Sequence, residues 1–124
     1  MKTVKKAVVY CRARTETKGE RRHMLKAQEN QCRYFANENG YEVEKVFIDL
    51  GGAGSTHGRP GLSSLQKYAA KNKNRISAVI CYATDRMARR LTDWYGLAGF
   101  FKALKIHVLV VSVENHRLLS LHEC

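Results

Sequence analysis

Two rhythms alternate along the chain: short apolar runs, and longer stretches in which apolar residues recur every three or four positions. "KKAVVYC" (5–11) is a continuous run rich in β-branched residues and predicts a buried strand. Residues 13–22, "ARTETKGERR", have no apolar period and read as a polar loop. From His23 to Asn39, Met24, Leu25, Ala27, Cys32, Phe35 and Ala36 define one helical face, and Gly40 ends the helix. "YEVEKVFID" (41–49) alternates and then turns apolar, as a strand does. "LGGAGSTHGR" (50–59) is a glycine-rich loop. Pro60 suits the first turn of a helix reaching Asn72, with Leu62, Leu65, Tyr68 and Ala69 on one face. "ISAVICYA" (76–83) is the strongest strand pattern, and "TDRMARR" is the turn after it. A helix over Leu91–Lys105 and a strand "IHVLVVSV" (106–113) complete the series.

The order β-α-β-α-β-α-β implies parallel strands joined by right-handed crossovers, with helices on both sheet faces. The expected fold class is therefore α/β: three layers, α/β/α, around a mainly parallel central sheet. Such folds place their functional crevice beyond the carboxyl ends of the strands. Arg12 and Arg14 follow the first strand. Asp49 closes the second, with Arg59 further on. Asp85, Arg86, Arg89 and Arg90 follow the third. Basic residues thus converge on one edge, as a site for an oligoanion requires.

Charge sharpens that reading. Lys and Arg number 22 against 11 acidic residues, a net charge of +11. Such a surplus costs self-repulsion and points to a polyanion: nucleic acid first, an acidic membrane second. No stretch approaches the ~20 apolar residues of a membrane span, and the first apolar run is too short for a signal peptide. The expected location is cytoplasmic. Cys11, Cys32, Cys81 and Cys124 show no CxxC spacing; Cys11 and Cys81 lie in strand runs and read as core residues without disulfides. The histidines lack metal-ligand spacing, and the cluster His116, His122, Glu123 and Cys124 sits in a tail. No metal is expected. "GGAG" (51–54) lacks the Gly-Lys-Ser/Thr ending of a P-loop, and "CRARTE" lacks the glycines of a dinucleotide site. No cofactor is expected either; a small phosphate ligand on a flavodoxin-like sheet rests on fold analogy alone.

Several motifs, in order, resemble the catalytic domain of serine site-specific recombinases, the resolvase and invertase group. Tyr10 and Arg12 are similar to the family's opening Tyr-x-Arg. "LKAQENQCRYFANENGYEVEKVFID" resembles its first helix and second strand, with Gln28 at the glutamine position. "GRPGL" (58–62) resembles Asp-Arg-Pro-Gly-Leu, and "DRMAR" (85–89) the Asp-Arg-x-x-Arg signature. The resemblance spans about 5–115, and the long interval from Tyr-x-Arg to Gln28 resembles the large serine recombinases. It implies DNA strand cleavage and exchange through a phosphoserine link, without metal. Arg12, Arg59, Arg86 and Arg89 match the arginines that stabilise the phosphoryl transition state. Asp49 and Asp85 match an acidic pair that orients arginines or assists proton movement. Asp85 also suits a helix N-cap, and Asp49 a loop-stabilising role.

One departure bears on chemistry. The family writes Tyr-x-Arg-x-Ser, with serine as nucleophile; here Arg14 holds that position. Arginine stays protonated and cannot attack phosphorus. Thr15, the next hydroxyl, is displaced by one residue and in extended chain points to the opposite side. Met24 and Ala83 replace a serine and a lysine common in the family. The expectation is a single resolvase-like domain over 1–124, without a C-terminal DNA-binding domain, that binds DNA and is deficient in cleavage. Arg14, Arg90, Lys18, Arg21 and Arg22 are expected DNA contacts. The expected protein partner is another copy in an oligomer or an active recombinase. The alternative is a non-catalytic DNA-binding or partner module.

Overall fold

The computed structural model describes residues 4–13, 17–50, 59–83, 86 and 91–112. Four strands, β1 (Lys5–Ala13), β2 (Tyr41–Leu50), β3 (Ile76–Cys81) and β4 (His107–Val110), form one sheet in the order β2-β1-β3-β4. Every neighbouring pair is parallel. Helices α1 (Lys18–Glu38), α2 (Pro60–Lys71) and α3 (Leu91–Ala103) make the crossovers.

The period of two along β1 divides the core. Val8 and Tyr10 face one side, with Phe47, Leu62, Leu65, Trp94 and Phe101, so α2 and α3 cover that face. Ala7, Val9 and Cys11 face the other and pack on Cys32 and Ala36 of α1. The three-layer architecture follows directly from this division. Cys11, Cys32 and Cys81 are buried thiols. Burial raises the Cys11 thiol to about 12, so at neutral pH it behaves as a core hydrophobe.

The elements stand where the periodicity predicts them, with corrections at their ends. Helix α1 begins at Lys18, inside the segment read as a loop. Thr17 is its N-cap: the Glu20 backbone N–H donates to Thr17 Oγ1 at 3.2 Å, and that hydroxyl donates to Glu20 Oε1 at 2.6 Å. The buried face of α1 centres on Gln28, Cys32 and Ala36, whereas Ala27 is exposed. Gly40, at φ +80°, ends the helix in the left-handed region as expected. β1 runs on to Ala13 and β3 stops at Cys81. At the end of α3 the chain turns through Lys105 at φ 62°, and the Ile106 N–H returns to the Phe101 carbonyl at 2.9 Å. That turn shortens the predicted helix and redirects the chain into β4. Among the described residues, no helix is long and apolar enough to cross a membrane.

Candidate active site

The chain leaves β1 for β2 on one side and later reaches β3 on the other, so the strand order reverses at the carboxyl ends of β1 and β3. Open α/β sheets bind ligands at such a point. Arg12 stands there on β1, directly opposite Asp49 of β2. Both share the sheet face of Tyr10 and Phe47, because side chains alternate along each strand.

Asp49 is buried at 4% exposure and is fully engaged. Its Oδ1 accepts from the Gly61 N–H at 2.7 Å, and its Oδ2 from the Leu62 N–H at 2.9 Å. Oδ2 also accepts from the Tyr10 hydroxyl at 2.6 Å. The N-cap residue of α2, Arg59, makes no side-chain cap bond, so a carboxylate from the neighbouring strand satisfies the first turn instead. This geometry explains the glycine of "GRPGL". A Cβ on Gly61 would lie 2.4 Å from the Ile48 carbonyl oxygen and 2.9 Å from Asp49 Oδ1. In this geometry Asp49 caps the first turn of α2, and it reaches the arginines through Tyr10.

Arg59 projects from the start of α2 back over the sheet. Its guanidinium lies 5.4 Å from the Tyr10 ring centroid and donates to the Tyr10 hydroxyl at 2.9 Å. The same nitrogen donates to the Arg86 carbonyl at 2.5 Å. Burial is the main cause that raises the Tyr10 phenol above its ordinary value, and the bond to Asp49 adds to it; Arg59 opposes both. Tyr10 therefore remains a donor to Asp49 and an acceptor from Arg59.

Gln28 completes the other wall. β3 ends opposite Tyr10, so beyond that point β1 has no strand partner on the β3 side. The Gln28 amide takes that place: the Arg12 N–H donates to Gln28 Oε1 at 3.1 Å, and Gln28 Nε2 donates to the Arg12 carbonyl at 2.8 Å. Arg86 Nη1 approaches the same carbonyl at 3.4 Å. One continuous network thus joins Asp49, Tyr10, Arg59, Arg86, Arg12 and Gln28.

The sequence places Arg12, Asp49, Arg59 and Arg86 at this edge, and the structure brings them together. Gln28 is also there, as a backbone brace for Arg12 and not as an open ligand. Arg14, Thr15, Asp85, Arg89 and Arg90 lie outside the described residues. Lys18, Arg21 and Arg22 stand apart, beside Leu25 and Leu50, where they line a separate shallow cleft. They stand at the positive end of the α1 dipole, where cations are costly. Sequence reasoning missed the phenol of Tyr10 as the link between Asp49 and Arg59. Its position two residues before Arg12, on the same strand face, is the signal that could have found it.

The family model described as "Resolvase, N terminal domain" matches residues 7–120. The fold is similar to the N-terminal catalytic domain of TP901-1 integrase, at 22% identity and TM-score 0.76, covering 96% of this chain and 92% of that one. It is also similar to the C-terminal catalytic domain of ISC1926 TnpA, an IS607-like serine recombinase, at 23% identity and TM-score 0.73, covering 94% and 77%. A resolvase family site-specific recombinase from Streptococcus pneumoniae matches at 20% identity and TM-score 0.73, covering 96% and 83%. At such identities the likeness to these structures is one of fold. No curated protein matches the chain.

Proposed function

Because the chain belongs to the resolvase N-terminal domain family, a family of site-specific DNA recombination, we propose that its arginine edge holds a DNA phosphodiester without cleaving it. The observation that carries this reading is that Arg59 donates to the Arg86 carbonyl and Arg86 to the Arg12 carbonyl, which draws the three arginines to one edge at the strand-order reversal. Guanidinium groups suit phosphate because they stay charged and fork two hydrogen bonds to its oxygens. In phosphoryl transfer the protein's main contribution is positioning and charge stabilisation, for which arginines at this edge are suited. Arg89 joins the set by its place in "DRMAR", and Arg14 and Arg90 add phosphate contacts. Asp49 and Gln28 hold the scaffold.

The missing element is the nucleophile, since Arg14 occupies the position at which the family's serine attacks. The domain therefore acts as a DNA-holding subunit, paired with a second copy or with an active recombinase, in the cytoplasm. A nicked duplex incubated with the chain and resolved on a denaturing gel tests this. No covalent adduct is expected, with or without divalent metal. An adduct that disappears in Thr15→Ala overturns the reading and makes Thr15 the nucleophile.

A further inference from the structure

A second cleft adjoins the arginine edge. Its volume is about 270 Å³, and its walls are Met24, Ala27, Gln28 and Gln31 of α1 facing Tyr82 and Arg86 after β3. It is continuous with the phosphate-binding edge, because Gln28 and Arg86 both donate to the Arg12 carbonyl. One wall is apolar, from Met24 and Ala27. Gln31 adds an exposed amide. Across from it, Tyr82 keeps 37% of its surface in water.

Backbone bonds hold the chain at Tyr82. The Ser112 N–H donates to its carbonyl at 2.8 Å, and the Val111 N–H donates to the Cys81 carbonyl at 3.0 Å. The chain after β3 is thereby held to the chain after β4. A turn then closes from the Arg86 N–H to the Ala83 carbonyl at 3.0 Å. An aromatic ring, a thioether and an amide thus surround a space that ends at a guanidinium.

We propose that this cleft takes one unstacked nucleobase while Arg86 holds the phosphate of the same nucleotide. The inference rests on the reading of the arginine edge as a phosphate site. A nucleobase has flat faces suited to an aromatic ring and a thioether, and a polar edge suited to an amide. A paired duplex shows its base edges in the grooves and keeps its faces stacked, so only an unpaired base gains from Tyr82. Every base has such a face, so the cleft tolerates different bases. The nucleotide comes either from a free mononucleotide pool or from an unpaired position in a DNA strand.

Titration of the full chain separates these terms. The probes are deoxyribose 5-phosphate, thymidine and deoxyadenosine monophosphates, a blunt duplex, and the same duplex with one unpaired nucleotide. The monophosphates are expected to bind about tenfold more tightly than the sugar phosphate, the gain that one aromatic–base stack provides. Tyr82→Ala removes that gain and leaves sugar phosphate binding unchanged. Arg86→Ala weakens both. A similar gain for the unpaired duplex over the blunt one assigns the site to DNA; a gain confined to monophosphates assigns it to free nucleotides. Quenching of the fluorescent base analogue aminopurine, as its monophosphate, reads stacking in the unmodified chain, independently of any variant's folding. Equal binding of monophosphate and sugar phosphate, with no quenching, overturns the inference and leaves the phosphate site standing. Failure of every phosphate probe overturns both.

Discussion

Tyr10 on β1 donates its phenolic proton to Asp49 on β2 at 2.6 Å, beneath the start of α2. That bond joins the helix cap to the arginine edge, because the Tyr10 oxygen also accepts from Arg59. Asp49 holds two α2 amides on one side and the phenol on the other. A buried carboxylate with three donors carries structure and site geometry together.

Asp49→Ala strips three donors of their acceptor and removes the charge at the helix N-terminus. The expected loss is about 2–4 kcal/mol of unfolding free energy. Tyr10→Phe keeps the ring under Arg59 and removes only the hydroxyl, at about 1–2 kcal/mol. Gly61→Ala displaces the same carboxylate by steric contact and destabilises without altering charge. Urea midpoints check all three, and the order Asp49→Ala worse than Tyr10→Phe is the test of the network.

Much of this arrangement was legible in the sequence. Alternating strand and helix patterns predict the parallel sheet, and the strand-end rule places Arg12, Asp49, Arg59 and Arg86 on one edge. Two features were not. Tyr10 stands in the first strand run and in the Tyr-x-Arg pair, yet the value of its hydroxyl depends on Asp49, 39 residues away. The start of α1 was hidden because its first residues, Lys18, Gly19, Glu20, Arg22 and His23, face solvent and carry no apolar period. The Thr17-x-x-Glu20 capping box marked that start independently of periodicity. Gln28 shows the reverse case: a polar residue at the centre of a buried helical face, where only backbone groups of β1 satisfy it.

The capping box has a measurable consequence. Thr17→Ala removes the acceptor of the Glu20 N–H and is expected to cost about 0.5–2 kcal/mol. The start of α1 carries Lys18, Arg21 and Arg22, so its fraying also lowers DNA affinity. Circular dichroism with a DNA titration on the same variant measures both. Loss of stability with unchanged DNA affinity would show that these cations do not touch DNA.

Glu44 is expected to contribute to stability in acid. Arg75 Nε donates to its Oε1 at 2.9 Å, and the Arg75 Nη2 and Tyr68 hydroxyl groups bond its other oxygen. These bonds, Arg75 first, lower the carboxyl from 4.5 to about 2. A depressed folded-state value favours folding while the group is ionised in both states, that is, above pH 4.5. The contribution falls as pH drops from 4.5 towards 2 and is gone below the folded value. Glu44→Gln should therefore flatten the stability profile in that window and leave its shape near neutrality unchanged. Urea midpoints across the acid range compare the two chains; identical slopes would remove Glu44 from the account.

DNA binding itself should be weak, salt-dependent and nearly indifferent to sequence. The net charge of +11 provides counterion release, while the described residues place backbone-scale cations, not a groove-reading helix, at the site. For about 4 phosphate contacts, log affinity should fall against log salt with a slope near −3.6. Arg86→Ala and Arg89→Ala should each weaken binding on every duplex alike and flatten the slope by about one unit. Arg22→Ala should do the same through a different phosphate, additively with Arg86→Ala, because the two residues line separate clefts. Anisotropy titrations at several salt concentrations, on two unrelated duplexes, give the slope and the discrimination together. A salt-independent affinity, or strong preference for one duplex, would replace phosphate recognition with base readout as the basis of binding.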